Sequence, residues 1–340
     1  MYKWIYFFNI STPQTYRPIV LITGCSSGIG LALADKLYRL DRYRVIITAR
    51  EKSLGVLKNR FVENENFSIK ELDVASEDSR KKLVKSIREN FGGVDILVNN
   101  AGICYRSVLE EMSYEDEQIQ LETNYFGPMS LIRHFLPYMR NKGRGKIINV
   151  SSVSGMLAMP TMASYSASKH ALEGASESLW FELKPFGINV SIIQPGFIRS
   201  NSFEKTKMSV RSRLSIELNK PYTDLYRSMI PYVEKRMKQG LATSESIADL
   251  VLDVIKTKNP PLWIPASLDA EFFGYLKRYF PRRILNRFLY RLLPNSAHWA
   301  ENFTHRPQFS FIERMKLLWE QTKWRLYEKY KNRSSTTPKS

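Results

Sequence analysis

The feature that most constrains the fold is a regular alternation, over the first 200 residues, of short β-branched runs with longer amphipathic stretches. This alternation is typical of a parallel sheet whose crossover helices cover both faces. We therefore predict an α/β fold built on a Rossmann-type, doubly wound parallel sheet of about seven strands. The predicted strands are 19–23, 45–48, 67–72, 94–98, 146–150, 189–193 and 261–265, and the predicted helices are 29–40, 53–62, 77–90, 113–140, 161–184 and one that begins at Thr243.

We predict four parts along the chain. Residues 1–17 form an N-terminal segment without the small-residue cleavage site of a signal peptide. Residues 18–265 form the predicted Rossmann-type domain, in which 197–240 is long, rich in Lys, Met and Tyr, and placed after a strand where a lid is expected. Residues 266–332 form a basic, aromatic, helical extension, and residues 333–340 are predicted to be a disordered tail.

The formal net charge of +18 is concentrated at the C-terminal end. Residues 271–340 hold fifteen Lys and Arg against five Asp and Glu. Between 272 and 292 these cations are interleaved with aromatic and aliphatic residues at helical spacing, which is typical of a helix on an anionic membrane surface. A helix packed on the domain with its basic face in water explains the same pattern. Nucleic-acid binding is not expected, because no recognition motif accompanies the charge.

Two further observations bear on the location of the protein. No apolar run approaches the roughly 18 residues that a membrane-spanning helix needs. The two cysteines, Cys25 and Cys104, do not have the spacing of metal ligands and are read as reduced thiols, so no metal site is predicted. We expect an intracellular, cytoplasmic protein that contacts membranes peripherally through its extension.

A glycine-rich turn, TGCSSGIG at residues 23–30, lies between the first predicted strand and the first predicted helix. Glycines allow the backbone to approach a pyrophosphate, and a helix N-terminus offers unpaired N–H groups to it. Such a turn on its own is a weak signal, but its place between strand and helix indicates a dinucleotide site. The candidate cofactor-binding residues here are Gly24, Ser26, Ser27, Gly28, Ile29 and Gly30.

The ends of the next strands refine this site. Arg50 follows the second strand, where an NAD-binding fold usually places a carboxylate, and a guanidinium there favours the 2′-phosphate of NADP(H) over NAD(H). Asp73 and Val74 follow the third strand, where the Asp can bind the adenine amino group or simply cap a helix. The motif NNAG follows the fourth strand and adds Asn100, Ala101 and Gly102 as candidates that line the cofactor, although an Asn-rich turn explains it equally.

Tyr165 and Lys169 carry the strongest chemical signal. They are four residues apart, so on a helix both project from the same face and the ammonium can lie near the phenol. A nearby positive charge lowers the pKa of a phenol, and carbonyl reduction requires a group that delivers a proton to oxygen while hydride reaches carbon. Ser152 can hydrogen-bond the same oxygen. Taken alone, a Tyr and a Lys at this spacing usually just occupy a helix surface.

The motifs TGCSSGIG, NNAG, NVSS, YSASK and Pro195-Gly196, in this order, resemble those of the short-chain dehydrogenases/reductases over about residues 18–265. The resemblance implies that Tyr165 is the acid/base and that Lys169 also binds the nicotinamide ribose. It selects Ser152 rather than Ser151, because Ser152 lies thirteen residues before Tyr165. It also makes Asn124 the fourth catalytic residue, holding a water beside Lys169, and adds Tyr165, Lys169, Pro195 and Gly196 to the cofactor-binding residues.

Locally, LITGCSSGIG and KHALEGASESLWFELKPFG resemble the hydroxysteroid and retinol dehydrogenases. The resemblance implies an NADP(H)-dependent enzyme that interconverts a bulky lipophilic carbonyl and alcohol, such as a steroid, retinoid or lipid, as a homodimer or homotetramer. Ser27 stands where many NADP-using members carry a basic residue, which keeps NAD(H) open. Two alternatives remain: a reductase of acyl or other small carbonyls, and a non-catalytic binding or scaffold protein on the same fold.

Overall fold

The strands that the sequence predicts form one parallel sheet. A computed structural model of the chain describes residues 16–199, 206–300 and 319. The strands are β1 (Ile19–Ile22), β2 (Arg44–Ala49), β3 (Phe67–Glu71), β4 (Ile96–Asn99), β5 (Gly145–Val150), β6 (Ile188–Gln194), β7 (Ile198–Arg199), β8 (Ala242–Thr243) and β9 (Trp263–Pro265). Seven of them pair in the order β3-β2-β1-β4-β5-β6-β9, and β7 pairs with β8 separately. The predicted Rossmann-type fold is confirmed.

Helices cover both faces of this sheet, because its central strands are apolar runs buried on both sides. One core lies between the sheet and α1 and α9, and the other lies between the sheet and α3, α5 and α6. The helices are α1 (Gly28–Leu40), α2 (Leu54–Lys58), α3 (Glu77–Phe91), α4 (Tyr114–Leu121), α5 (Gly127–Asn141), α6 (Ala163–Leu183), α7 (Val210–Glu217), α8 (Thr223–Lys238), α9 (Ser244–Lys256), α10 (Leu268–Tyr279) and α11 (Arg282–Leu292).

Two predicted helices differ from the structure. The helix expected at 113–140 is interrupted by a π-helical turn, Glu122–Phe126, between α4 and α5. The helix expected at 53–62 ends at Lys58, and Phe61 turns into the core, where its ring packs against Tyr38 and Phe67. Insertions of π geometry are frequent at functional sites, and this turn carries Asn124.

The predicted lid, 197–240, contains β7, α7 and α8, with residues 200–205 outside the described part. Tyr226 on α8 is fully buried and its hydroxyl donates to Glu111 Oε2 at 2.8 Å. The same hydroxyl accepts the Val108 N–H at 2.9 Å. These bonds fasten the segment to the loop that follows β4.

The extension is helical over α10 and α11. The chain divides into two compact units, Met1–Trp299 and Ala300–Ser340. In the second unit only Ala300 and Trp319 are described, so the predicted tail at 333–340 lies outside the described residues, as does most of the N-terminal segment. Within the described ranges, no helix has both the length and the apolar character needed to cross a bilayer.

Candidate active site

The glycine-rich turn between β1 and α1 is as tight as the sequence predicts. Gly24 and Gly28 have φ angles of +72° and +59°, in the left-handed region that glycine adopts without strain. A Cβ on Gly30 would lie 2.4 Å from the Asn100 amide nitrogen and from the Gly24 carbonyl oxygen. The N-cap residue of α1, Ser27, makes no side-chain capping bond, and the first turn holds no acid. The helix N-terminus therefore suits an anion such as a pyrophosphate.

The NNAG segment after β4 holds this turn in place. The Asn100 side-chain amide donates to the Thr23 and Gly24 carbonyl oxygens at 2.9 and 3.0 Å. The Ala101 N–H donates to Thr23 Oγ1 at 3.0 Å. Gly102 is exposed, and a Cβ there would approach Lys169 Nζ to 3.7 Å. The segment thus connects the glycine-rich turn to the lysine of α6.

The remaining predicted cofactor residues lie on the same edge of the sheet. Arg50 is exposed directly after β2, and no ion pair joins it to the described residues. After β3, the Asp73 carboxylate accepts the Ala75 N–H at 3.0 Å in a local turn, and Val74 follows it. After β6, the Gly196 N–H donates to Ser267 Oγ at 3.0 Å. Loops at the carboxyl ends of parallel strands are where such sheets bind dinucleotides.

Tyr165 and Lys169 lie on one face of α6, as their spacing predicts. Lys169 Nζ is 5.8 Å from the centre of the Tyr165 ring and donates to the Val150 carbonyl oxygen at 2.9 Å. Ser152, two residues beyond the strand that ends at Val150, has its hydroxyl close enough to the Tyr165 phenol to lower the pKa of that phenol. The structure therefore brings three of the four predicted catalytic side chains together beside the glycine-rich turn.

Asn124, the fourth, is fully buried on the π-helical turn. Its amide nitrogen donates to the Ile103 carbonyl oxygen at 2.9 Å and to Ser168 Oγ at 3.0 Å. Its amide oxygen accepts the Ile103 N–H at 2.9 Å. Asn124 therefore connects the loop after β4 to α6, one residue before Lys169.

The electrostatics of the phenol differ from the expectation. Burial raises the pKa of Tyr165 above its usual value of 10, and the hydrogen bond from Ser152 and the charge of Arg106 oppose this only in part. Lys169 is not among the groups that lower the pKa of Tyr165, and its ammonium donates to the Val150 carbonyl oxygen. Burial lowers the pKa of Lys169 to about 8. At neutral pH the site thus holds a protonated phenol and a buried cation.

A polar network that the sequence analysis missed lies beneath Lys169. Glu173, one turn further along α6, is buried and accepts hydrogen bonds from Ser151 Oγ at 2.7 Å and from the Gln194 side chain at 2.9 Å. Its charge raises the pKa of Lys169 against the effect of burial. The available signal was the spacing, since Glu173 follows Lys169 by four residues on the same face.

Both cysteines are free thiols, and burial raises the pKa of Cys25 to about 12 and that of Cys104 to about 11. Over the described ranges no cluster of three or more His, Cys, Asp or Glu could hold a metal ion. Neither thiol has the lowered pKa of a reactive nucleophile.

Comparison with known proteins agrees with this geometry. The family model of the short chain dehydrogenases matches residues 18–210. A 3-ketodihydrosphingosine reductase of Bacteroides thetaiotaomicron is 34% identical over 268 residues, which is 78% of this chain and 94% of the relative. Retinol dehydrogenase 8 of Bos taurus is 34% identical over 250 residues, 72% of this chain and 79% of the relative.

Solved structures have the same fold. A short-chain dehydrogenase from Streptomyces avermitilis superposes with a TM-score of 0.64 at 29% identity, covering 82% of this chain and 98% of its own. A family member from Burkholderia phymatum, solved with NAD, has a TM-score of 0.61 at 23% identity and covers 74% of this chain and 89% of its own. A metagenomic family member, solved with NADP, has a TM-score of 0.56 at 26% identity and covers 74% of this chain and 96% of its own. The chain belongs to the short-chain dehydrogenase/reductase family and is an oxidoreductase that acts on CH–OH and C=O groups.

Proposed function

We propose that this protein interconverts a lipophilic carbonyl and its alcohol with NADP(H), using Tyr165 as the proton donor and acceptor. The observation that carries the proposal is the convergence of Tyr165, Ser152, Lys169 and Asn124 beside the glycine-rich turn. A nicotinamide dinucleotide held by the glycine-rich turn would supply or accept the hydride.

The four side chains have separate roles in the transfer of the proton. The protonated Tyr165 donates its proton to the carbonyl oxygen as negative charge develops there, which a high phenol pKa permits at neutral pH. The single O–H group of Ser152, which interacts with the phenol in the ligand-free protein, turns to the same oxygen and donates a second hydrogen bond to it. Lys169 holds a cation under the phenol, and Asn124 fixes the loop against which Lys169 lies.

Replacement of the phenol tests this assignment. We expect Tyr165→Phe to bind NADPH normally and to lose turnover by roughly 10²- to 10⁴-fold, the range for removal of a general acid. The matched control is Tyr43→Phe, since Tyr43 precedes β2 at the opposite edge of the sheet. Assays with long-chain ketones, retinal and steroid ketones in the presence of NADPH measure the effect. Full activity of Tyr165→Phe would contradict the proposed mechanism.

The preference for NADP(H) rests on Arg50. Its side chain is exposed at the end of β2, where a guanidinium can pair with a 2′-phosphate. We expect Arg50→Gln to raise the KM for NADPH about 10- to 100-fold, since bonds to charged groups contribute roughly 1.5–3 kcal/mol, and to leave the KM for NADH unchanged. Arg44→Gln, which removes the exposed arginine at the other end of β2, is the control. Equal effects on both cofactors would contradict a contact between Arg50 and the 2′-phosphate.

The lipophilic character of the substrate rests on two supports. The relatives named above are, by their names, reductases or dehydrogenases of a sphingoid ketone and of retinol. The predicted lid places apolar side chains next to the loop after β4, and Met229 and Tyr226 are fully buried there. Apolar side chains in such a lid suit a long or bulky apolar ligand.

Contact with an anionic membrane is proposed for α11. Arg283, Arg287 and Arg291 recur every four residues, and beside them Ile284, Phe288 and Leu292 form a second stripe that is at least half exposed. A single buried residue, Leu285, faces the domain. Adjacent basic and apolar stripes are the pattern of an interfacial helix.

Vesicle flotation tests this surface. We expect the triple variant Arg283→Gln, Arg287→Gln, Arg291→Gln to bind vesicles of phosphatidylcholine and phosphatidylglycerol about 10- to 100-fold more weakly than the wild type, since each cation contributes roughly 1 kcal/mol. The control replaces Lys81, Lys82 and Lys85, three exposed cations of α3, by Gln. Equal binding by both triple variants would contradict the proposal.

Self-association into a homodimer or homotetramer is proposed from the same family. Tyr114 on α4, Phe126 on the π-helical turn and Phe181 on α6 are 72%, 49% and 65% exposed, and α4 packs on α6. A second copy would remove this apolar surface from water. Light scattering of the wild type and of Phe181→Asp measures it, and a wild-type monomer would contradict it.

A further inference from the structure

Arg106 is a buried cation that the proposed chemistry does not use. Its side chain is 5% exposed, and neither Nε nor Nη1 has a hydrogen-bond partner. Burial of a guanidinium without a counter-ion is strongly unfavourable, and for this reason buried charges in proteins are almost always paired. None of the described residues supplies its partner, so an anion bound from outside would satisfy this group.

Glu173 of α6 and Glu111 of the loop after β4 are buried acids that already have partners. Glu173 accepts hydrogen bonds from Ser151 and Gln194. Glu111 accepts a hydrogen bond from the Tyr226 hydroxyl. Of the ion pairs formed by described residues, none includes Arg106. The counter-charge of this guanidinium is thus missing from the described part of the protein.

The backbone places Arg106 beside the reacting groups. Its N–H donates to the Lys207 carbonyl oxygen at 2.8 Å, in the predicted lid. The next residue, Ser107, forms a parallel bridge with Met162, which directly precedes the helix that carries Tyr165. Arg106 also lowers the pKa of Tyr165, so the two side chains lie within electrostatic range of one another.

We propose that Arg106 binds an anionic group, a carboxylate or a phosphate, that the lipophilic substrate carries close to its reacting carbonyl. A guanidinium presents two parallel N–H groups to such an oxyanion, whereas a neutral hydrocarbon would leave it unpaired and an ammonium would be repelled. This inference rests on the proposed function and narrows its substrate class. It favours oxo acids, or keto lipids with a phosphate, over retinoids and over amino ketones.

A binding experiment without turnover tests the anion site. The ligands are laurate, dodecyl phosphate and dodecanol, and the readout is the affinity of each for the full-length protein with NADP⁺, from thermal shift titration. We expect the wild type to bind at least one of the two anions about 10- to 100-fold more tightly than dodecanol, and Arg106→Gln to abolish that difference. Comparison of laurate with dodecyl phosphate identifies the oxyanion. Arg140→Gln removes an exposed arginine at the end of α5 and is the control.

Turnover separates this inference from the proposed function. The substrates are 3-oxododecanoate and its methyl ester, which share the reacting ketone, together with the phosphate ester of 1-hydroxy-2-dodecanone and the parent hydroxyketone. We expect Arg106→Gln to lower kcat/KM for the preferred anion about 10- to 100-fold and to change that for its neutral partner little. If no ketone is reduced, the proposed function fails while the binding arm still decides the anion site.

Three outcomes would overturn the inference. One is a wild type that binds anions and dodecanol equally. The second is an Arg106→Gln variant that keeps the preference for an anion. The third is an Arg106→Gln variant that loses kcat/KM equally on anionic and neutral substrates and has a shifted pH profile. That result would make Arg106 a positioning residue for Tyr165. Arg106→Met, which keeps the apolar stem, repeats the experiment if the Gln variant fails to fold.

Discussion

Lys169 keeps a positive charge in the interior of the protein. Burial lowers its pKa from 10.5 to about 8, although the nearby Glu173 opposes the shift. Between these two pH values the unfolded chain binds more protons than the folded protein, so the free energy of unfolding rises with pH across this window. Below pH 8 the charged lysine lowers the free energy of unfolding of the ligand-free protein by an amount on the order of 3 kcal/mol.

Removal of that charge therefore stabilises the ligand-free protein. We expect Lys169→Met to raise the free energy of unfolding at pH 7 by about 1–3 kcal/mol. The gain is smaller than the full cost of the buried charge, because the variant also loses the hydrogen bond to the Val150 carbonyl oxygen. The gain shrinks as pH rises from 8 toward 10.5. Thermal unfolding from pH 6 to 10 measures it, with exposed Lys52→Met as control. A gain that does not change with pH would contradict the buried-charge explanation.

At the scale of elements, the sequence predicted those features that depend on residues close together in the chain. Apolar runs located the strands, and the spacing of Tyr165 and Lys169 placed both on one face of α6. The π-helical turn was read as helix, since its geometry depends on contacts of Asn124 with Ile103, which is 21 residues away. Arg106 gave no signal at all, because the absence of a partner is visible only once the neighbouring chain segments are in place.

Replacement of two helical glycines by alanine is expected to change the stability of the fold in opposite directions. Gly30 on α1 is packed against Asn100 and the Gly24 carbonyl, whereas nothing lies within 4 Å of a Cβ on Gly174 of α6. We expect Gly30→Ala to destabilise the fold by about 1–3 kcal/mol and to weaken NADPH binding, because the glycine-rich turn must open. Gly174→Ala is expected to stabilise it by roughly 0.5–1 kcal/mol. Chemical denaturation and NADPH titration measure both, and a neutral Gly30→Ala would refute the packing argument.

At the scale of the whole molecule, the extension is partly built into the site. The Asp269 carboxylate at the start of α10 accepts the Phe197 N–H at 2.7 Å, and Ser267 accepts the Gly196 N–H. Ala270 and Leu276 of the same helix are buried. The composition of the extension suggested a separable basic segment, but its first helix fixes the loop after β6, where the predicted cofactor residues Pro195 and Gly196 lie.

The boundary between scaffold and surface therefore lies between α10 and α11. We expect a chain that ends at Phe280 to unfold cooperatively and to bind NADPH, because it keeps Ser267, Asp269 and the buried side of α10. A chain that ends at Ala266 loses those bonds and the burial of Leu276, and we expect weaker NADPH binding and a lower Tm. Calorimetry and NADPH fluorescence on both truncations measure the difference. Equal stability and affinity of the two chains would show that α10 is dispensable, and vesicle binding by the longer chain would place the membrane contact on α10 instead of α11.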